Sequence, residues 1–148
     1  MVEHLAYNEK VNGSNPLFIK MKHYLWNMFS NLNNGQISKK KNILQKKTVI
    51  CSKVLNILWD EGYILGYKIY NYDPRYFIVF LKYVKNKPCI TYICAISKPS
   101  HKVYLSIRDI WKIKNDSGLN IFSTHKGIMS SRNCKRLNLG GEFLVHLN

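Results

Sequence analysis

The sequence predicts a chain of mixed α and β structure in two small halves. Apolar residues recur at helical spacing over residues 18–32 and again over 51–61, and short β-branched and aromatic segments follow. The polar break Lys98-Pro99-Ser100-His101 separates two groups of elements. With 148 residues and 46% hydrophobic content, the chain fits one ordinary domain or two small ones. We therefore predict an N-terminal extension over 1–18, a first half over 19–97 and a second half over 98–148.

Turn and cap signals divide the first half into two helices and several strands. The first helix is predicted to end at Asn33-Asn34-Gly35, and the second to begin with Ser52 as its cap and to end at Gly62. Asp73-Pro74-Arg75 is a hairpin turn between two strands. The predicted strands of this half span 42–49, 63–71, 76–83 and 90–97. Along the third of them, Phe77, Val79 and Leu81 share one face, while Ile78, Phe80 and Lys82 share the other.

The second half is predicted to be mainly β structure. Strands are expected over 103–105, 119–123 and 143–147, with a short segment at 107–113 and a turn at 116–118. A short helix begins near Ser130-Ser131 and runs through residue 137. In the last strand, strict alternation would place Phe143, Val145 and Leu147 opposite Leu144 and His146.

The charge balance points to a polyanionic partner. The chain has 23 Lys and Arg residues against 8 Asp and Glu residues, a formal net charge of +15. A single lysine is most often a solvated surface residue, but so large an unpaired excess repels itself unless a partner neutralises it. If about six of these cations lie against phosphates, affinity should fall by ~10³ between 50 and 200 mM salt.

Catalytic and metal-binding patterns are not found in the sequence. The few carboxylates do not form an acid–base pair, and no nucleophile elbow, phosphate loop or metal-ligand spacing occurs. Cys51 falls in an apolar stretch typical of a small buried residue, while Cys89 and Cys94 are expected on opposite faces of one strand. We therefore predict no enzyme activity, no cofactor, no metal site and no disulfide framework. The weaker alternative is a basic RNA-processing enzyme or a free RNA-binding regulator.

The sequence also shows no pattern typical of a targeting signal. No apolar run is long enough to span a membrane, and the N-terminal residues lack a secretory pattern. Residues 1–22 contain no arginine, so an Arg-rich transit peptide is not predicted. A start at Met1 favours a protein that is made where it works over one whose presequence has been removed. The lack of a cysteine framework in the sequence indicates a reducing, cytosol-like compartment.

The candidate binding segment is the polar loop Ser123-Thr124-His125-Lys126-Gly127-Ile128-Met129-Ser130. Hydroxyl and imidazole groups both donate and accept hydrogen bonds, so this loop can contact base edges and sugars as well as phosphates. Tyr104 is either a half-buried strand residue or a contact to an RNA base or ribose. Gly140-Gly141 allows close backbone approach to a ligand. Glu142 either makes an internal ion pair or backbone hydrogen bond, or orients the loop or accepts from a base amino group.

These segments resemble ribosomal protein eight of the small subunit, of the bacterial type. The family shows Ser-Thr-Ser-Lys-Gly-Val-Met-Thr-Asp-Arg where this chain has residues 123–132, and Gly-Gly-Glu where it has 140–142. Ser52-Lys53-Val54-Leu55 through Trp59-Asp60-Glu61-Gly62-Tyr63-Ile64 resembles a family helix, and Leu81-Lys82-Tyr83 a family strand. Residues 96–104 resemble Ser-Lys/Arg-Pro-Gly-Leu-Arg-Val-Tyr, and Gly118-Leu119-Asn120-Ile121 resembles Gly-Leu-Gly-Ile. The match runs in order from about Tyr24 onward.

The resemblance implies an α+β fold of two small domains. The N-terminal one would pack two helices on a three-stranded sheet, and the C-terminal one would be mainly β with a short helix. It implies a structural constituent of the small ribosomal subunit that organises the central domain of its rRNA and touches neighbouring ribosomal proteins, with no membrane and no small-molecule substrate. The implied rRNA-binding residues are Ser52, Lys53, Lys82, Lys98, Lys102, Tyr104, Ser123, Thr124, His125, Lys126, Gly127, Arg132, Gly140, Gly141 and Glu142.

Several positions depart from the family pattern. His125 stands where the family usually has Ser, Ser100 replaces Gly and Ser131 replaces Asp, while bulkier Trp26, Met28 and Phe29 replace an Ala-rich helix. These departures and the bias towards Asn, Lys, Ile and Tyr resemble organelle-encoded ribosomal proteins. We therefore expect a mitochondrial small subunit, with a plastid or a bacterial cytoplasm as the alternative.

Overall fold

The computed structural model describes residues 16–114 and 118–148, with side chains described from residue 23 onward. Most of the predicted turn at 116–118 and most of the predicted extension at 1–18 therefore lie outside the described residues. The helices are α1 (Pro16–Ile37), α2 (Val49–Asp60), α3 (Ile107–Lys112) and α4 (Ser131–Leu137). The strands are β1 (Asn42–Lys46), β2 (Ile64–Ile69), β3 (Tyr76–Leu81), β4 (Tyr83–Val84), β5 (Lys87–Pro88), β6 (Ile93–Ala95), β7 (Tyr104–Leu105), β8 (Leu119–Thr124), β9 (Gly127–Ser130) and β10 (Gly141–Leu147).

The first helix begins at a proline and runs through its predicted stop. Pro16 is the first helical residue, a position where its missing N–H costs nothing. The prediction of an end at Asn33-Asn34-Gly35 is wrong, because the helix continues to Ile37. Gly35 is buried where an added Cβ would lie 2.7 Å from Ile43 Cγ2, so it serves close packing on β1. Lys39, with φ of 51°, supplies the left-handed residue after the helix instead.

The second helix starts earlier than predicted, and Ser52 is not its cap. Thr48 is the N-cap, and its hydroxyl accepts a 3.2 Å hydrogen bond from the Cys51 N–H. Ser52 lies within the helix and donates to the Val49 carbonyl at 2.8 Å. Gly62 follows the helix with φ of 79°, which confirms it as the C-terminal glycine.

The first sheet is antiparallel with strand order β1-β3-β2. α1 and α2 pack on one face of it, where Phe77, Val79 and Leu81, which were predicted to share a face, are buried. The buried side chains of α1 are Leu25, Met28, Phe29 and Leu32, and those of α2 are Cys51, Val54, Leu55 and Leu58. Two helices on a three-stranded sheet confirm the fold expected for the N-terminal half.

The second sheet has the order β6-β10-β8-β9, and the short strand β7 also pairs with β10, at Gly141 and Glu142. α3 and α4 pack beside it over a small core of Ile110, Phe122, Met129 and Cys134. The predicted strand over 90–97 is regular only at β6. Its flanks still hydrogen bond to β10 and to the residue after it, since Ile96 N donates to Leu144 O and Thr91 N to Asn148 O. A mainly β second half with short helices confirms the α+β class.

The last strand does not alternate strictly. Its pairing with β8 shifts between Phe143 and Val145, which is the mark of a β-bulge. Leu144 and Val145 are consequently both buried, so the predicted separation of these two residues onto opposite faces is wrong. A bulge adds one residue to one strand, and no periodicity in the sequence reveals it.

One core joins the two halves of the chain. Leu25, Leu55 and Val79 from the first half share a buried cluster with Ile121, Val145 and Leu147 from the second. β6, which precedes the predicted boundary near Lys98, pairs with β10 of the second sheet. The boundary itself stays a prediction.

A short hairpin between β4 and β5 was not predicted, and its turn is strained. Lys85 and Asn86 have φ of 48° and 63°, as a two-residue type I′ turn requires, but neither is glycine. We expect the double variant Lys85→Asn, Asn86→Gly to raise the free energy of unfolding by roughly 0.5–1 kcal/mol, because Asn-Gly suits these angles. Urea denaturation would measure it. Lys87→Asn, at a residue of ordinary φ, is the control, and no gain over that control would contradict the assigned strain.

Candidate nucleic-acid interface

The polar loop of the sequence is a tight β-hairpin. β8 and β9 pair up to Thr124 and Gly127, which leaves His125 and Lys126 exposed as the two turn residues. Gly127 has φ of 115°, a region that L side chains rarely adopt. The hairpin thus presents an imidazole and an ammonium group at its tip.

Thr124 holds this turn together. Its hydroxyl donates to the Gly127 carbonyl at 2.9 Å and accepts from the Lys126 N–H at 3.2 Å. The residue is only 6% exposed and lies near Met129, on the helix-covered face of the sheet. In the free protein the Thr124 hydroxyl is therefore engaged within the chain rather than presented to a ligand.

Strand register brings three predicted site residues into one row. Glu142 of β10 pairs with Ser123 of β8 on one side and with Tyr104 of β7 on the other. Directly opposite residues of antiparallel strands project from the same face, with Cα atoms about 4.5–5.5 Å apart. Ile128 of β9 continues the row beyond Ser123. We call Tyr104, Glu142, Ser123 and Ile128 the transverse row.

Exposure differs along the transverse row. Tyr104 is 64% exposed, which excludes the interpretation of it as a half-buried strand residue. Glu142 is 5% exposed, and Ser123 and Ile128 are partly buried. The row therefore offers an open aromatic ring at one end and a hydroxyl beside a sheltered carboxylate in the middle.

The two glycines before Glu142 are explained by packing within the chain. A Cβ on Gly140 would lie 2.8 Å from the Leu105 carbonyl oxygen, and one on Gly141 would lie 2.4 Å from the Ser123 carbonyl oxygen. Neither distance is possible for a real side chain. These glycines let β10 approach β7 and β8 closely enough to form the transverse row.

A second turn presents further cations near Tyr104. Lys98 and His101 form a backbone bridge, with Lys98 N donating to His101 O at 2.9 Å and His101 N to Lys98 O at 3.1 Å. Ser97 is fully buried, and its hydroxyl accepts from the Val103 N–H at 3.0 Å. Lys98 and Lys102 are both exposed. The turn therefore holds two ammonium groups on the segment that leads into β7.

The four remaining predicted residues lie on other elements. Ser52 and Lys53 are on α2, which packs against β9. The Lys82 ammonium donates to the Gly62 carbonyl at 2.8 Å. Arg132 of α4 lies 3.8 Å from the Glu61 carboxylate. Lys82 and Arg132 thus have contacts within the chain.

Sequence reasoning did not single out two residues that shape this surface, although Ile128 lies within the candidate segment. Ile128 belongs to the transverse row, and its hairpin register with Ser123 follows once the two-residue turn is known. Ser97 fixes the neighbouring turn through its buried hydroxyl. Nothing in the sequence signals the role of Ser97, because it depends on a contact six residues away that only the fold creates.

Cysteine and carboxylate placement offers no metal centre. Within residues 16–114 and 118–148, no group of three His, Cys, Asp or Glu side chains is close enough to hold an ion. Cys51 is buried as predicted, and burial raises the pKa of the Cys134 thiol to about 11. The prediction that Cys89 and Cys94 share one strand is wrong, since Cys89 precedes β6. In the described part of the chain, no helix is both long enough and apolar enough to cross a membrane.

A family model described as ribosomal protein S8 matches residues 23–147, which is nearly all of the described chain and includes the whole surface above. The chain belongs to the ribosomal protein S8 family. Relatives called small ribosomal subunit protein uS8 agree with this. The Ehrlichia canis protein is 40% identical over 120 residues, 80% of this chain and 91% of its own length. The Alcanivorax borkumensis protein is 34% identical over 130 residues, 88% of this chain and all of its own length.

Membership in the S8 family identifies the chain as a structural constituent of the small ribosomal subunit that serves translation. A relative from a Caulobacter strain, 36% identical over 131 residues, covers 87% of this chain and 99% of its own length. The S8 family is structural and not enzymatic, in agreement with the predicted class of protein. The relatives named here are bacterial.

Proposed function

We propose that this S8-family chain binds the central domain of small-subunit rRNA through the transverse row and the β8–β9 hairpin, and so organises that domain for assembly. The observation that carries the proposal is the register of Ser123, Glu142 and Tyr104 beside the exposed turn of His125 and Lys126. Sheet pairing fixes these groups relative to one another before RNA arrives. A preformed surface loses little conformational entropy on binding.

Each exposed group of this surface suits a different part of RNA. The Tyr104 ring can stack on an unpaired base, and the Ser123 hydroxyl can bond to a ribose 2′-OH or a base edge in the shallow minor groove. Lys98, Lys102 and Lys126 are exposed point charges that can lie against phosphates. The combination favours an irregular RNA helix with an exposed base over a uniform duplex.

The turn residues take different roles in this proposal. Thr124 contributes by fixing the turn, and a direct RNA contact would have to replace one of its two internal hydrogen bonds. His125 is exposed at the tip, and its imidazole can stack on a base where the family's usual serine could only hydrogen bond. Gly127 provides the left-handed residue that shapes the turn.

The sheltered residues of the surface position the exposed ones. Glu142 is buried between Tyr104 and Ser123 in register, so its carboxylate can orient both or accept from a base amino group at the contact. Gly140 and Gly141 keep the strands close. Ser52, Lys53, Lys82 and Arg132 form an outlying set, of which Lys53 and Arg132 are exposed to a phosphate backbone.

Removing the Ser123 hydroxyl tests the proposed contact directly. We expect Ser123→Ala to weaken binding to an isolated central-domain rRNA fragment by ~1–3 kcal/mol, because a polar group of the RNA would lose its partner. A filter-binding titration at fixed salt would measure the change. Ser123→Ala, Thr124→Ala is expected to lose at least as much, since the turn loses its hydroxyl as well.

Ser38→Ala is the matched control, at an exposed serine in the turn after α1. It should bind the fragment as the parent does. Unchanged affinity of the double variant, with folding verified by circular dichroism, would remove the hairpin from the rRNA interface.

We further propose that the protein works in a mitochondrial small ribosomal subunit. Support comes from the composition, since only Arg75, Arg108, Arg132 and Arg136 among 23 cationic residues are arginine. The departures at Ser100, His125 and Ser131 add to it. Fractionation of purified mitochondria, plastids and cytosol would test the proposal. Co-sedimentation with the small subunits of mitochondria is expected, and co-sedimentation only with those of another compartment would contradict it.

A further inference from the structure

The first sheet has an outer face that the described chain leaves open. α1 and α2 pack on the inner face, and no other described element makes more than marginal contact with β1, β2 or β3. Leu44, Ile78 and Lys68 lie in register across the outer face, as do Asn42, Phe80 and Gly66. Tyr76 and Lys46 form the next pair. We call the apolar set Leu44, Tyr76, Ile78 and Phe80 the outer apolar patch.

The residue pattern of β3 is that of a strand covered on both sides. All six residues of Tyr76–Leu81 are apolar or aromatic, whereas a sheet with one solvated face normally alternates apolar and polar residues. Leu44 is 47% exposed, and the other three members of the patch are partly exposed. An apolar face left open by the described elements is a candidate interaction surface, which its shape and charge must support.

The dimensions of the face fit one helix. Three strands at ~4.8 Å spacing and five residues at ~3.3 Å rise give about 14 by 16 Å. An α-helix is about 10 Å across, and roughly three turns of it span 16 Å. This footprint is far below the ~800 Å² per partner of a stable isolated complex, so a partner here must also be held elsewhere. A ribosomal subunit supplies that condition, because rRNA holds many proteins side by side.

The charges and side chains on this face favour a protein partner over RNA. Lys68 flanks the patch, and none of the three strands contains Asp or Glu. The Lys46 ammonium is instead directed to Tyr24 of α1, where it donates to the hydroxyl at 3.3 Å. Sheets that bind single-stranded RNA stack bases on open aromatic rings. Here the aromatic residues Tyr76 and Phe80 are separated along β3 by the aliphatic Ile78, and the Lys68 ammonium already lies 5.8 Å from the centroid of the Phe80 ring.

We propose that the outer apolar patch binds an amphipathic helix of another small-subunit protein, whose apolar side chains cover the patch and whose flanking carboxylates face Lys68. The helix would complete a three-layer arrangement, with helices on both faces of the first sheet. This interaction is separate from the rRNA contacts of the transverse row, which lie on the second sheet.

Photo-cross-linking from the patch tests the identity of the partner. p-Benzoyl-phenylalanine is placed at Leu44, and the protein is assembled into complete small subunits and irradiated. The expected product resists ribonuclease and contains a segment of another protein with apolar residues at helical spacing flanked by Asp or Glu. A cross-link to rRNA, within this chain or to a second copy would overturn the proposal. So would the lack of any product while the same group at His125 cross-links.

A competition assay tests whether the patch contributes to assembly. We expect Ile78→Thr, Phe80→Thr to compete about tenfold less well than the parent for incorporation into small subunits. Its affinity for the isolated rRNA fragment should not change, which separates this result from any failure of the hairpin contacts. Val84→Thr, at an exposed residue of β4, is the control. Equal incorporation of variant and parent would count against the docking site, and so would an unfolded variant, because the patch would then stabilise the chain itself.

Discussion

Replacing Gly141 by alanine is expected to destabilise the second sheet strongly. The new Cβ would lie 2.4 Å from the Ser123 carbonyl oxygen, and a backbone atom in a paired strand cannot move aside cheaply. Overpacking of this kind costs about 1–3 kcal/mol or more. The same collision would push β10 away from β8, so we also expect the rRNA affinity to fall. Urea denaturation and a titration with the rRNA fragment would measure both effects.

Comparison with Gly127→Ala distinguishes the effect of a steric collision from the effect of backbone strain. An added Cβ at Gly127 meets no atom within 4 Å, but its φ of 115° is unfavourable for alanine. We expect a smaller loss of stability there than at Gly141, of about 1–2 kcal/mol. If the Gly141 variant were as stable as the parent, the close approach of β8 and β10 would not be a property of the protein.

The rRNA affinity is expected to depend steeply on salt. If about six phosphates are neutralised, the association constant should fall ~10³-fold between 50 and 200 mM salt. Lys126 is exposed at the hairpin tip, so Lys126→Gln should reduce the slope of log K against log salt by about one. Binding measurements at four or five salt concentrations would give both slopes.

Lys112→Gln is the matched control for this slope. Lys112 is exposed, as Lys126 is, but its ammonium is paired with the Asp109 carboxylate of α3 at 2.9 Å. Hydrogen bonds from Ser106 and from Lys112 hold the pKa of Asp109 below its ordinary value, so this carboxylate stays charged at neutral pH. The control should leave the slope unchanged. A salt-independent affinity of the parent would contradict a phosphate-based interface.

Local signals in the sequence were sufficient for most elements of the fold. The helical spacing in α1, the division of the β3 residues between two faces and the glycine after α2 each depend on a few neighbouring residues, and each was predicted correctly. The errors occur where a contact between residues distant in sequence determines the local structure. Gly35 looks like a helix stop, but Ile43 and Leu81 make it a packing residue. The bulge near Leu144 is likewise a property of the pairing between two strands rather than of either strand.

The candidate site likewise has one part that the sequence predicts and one part that depends on contacts between distant residues. The hairpin with His125 and Lys126 at its tip is visible in the sequence, because its polar residues and glycine are contiguous. The transverse row is not visible, since Tyr104, Ser123 and Glu142 become neighbours only through the pairing of three strands. Thr124 shows a further difference, because a hydroxyl that looks available in the sequence is used in the turn.

The position of β10 has a consequence for the order of events during synthesis. It pairs with β6, β7 and β8 at once, and its Leu144, Val145 and Leu147 complete the cluster that also holds Leu25 and Leu55 of the N-terminal helices. The interior shared by the two halves is incomplete until β10 has been synthesised and has paired with β8. The two halves are therefore expected to complete their folding together, in one cooperative step.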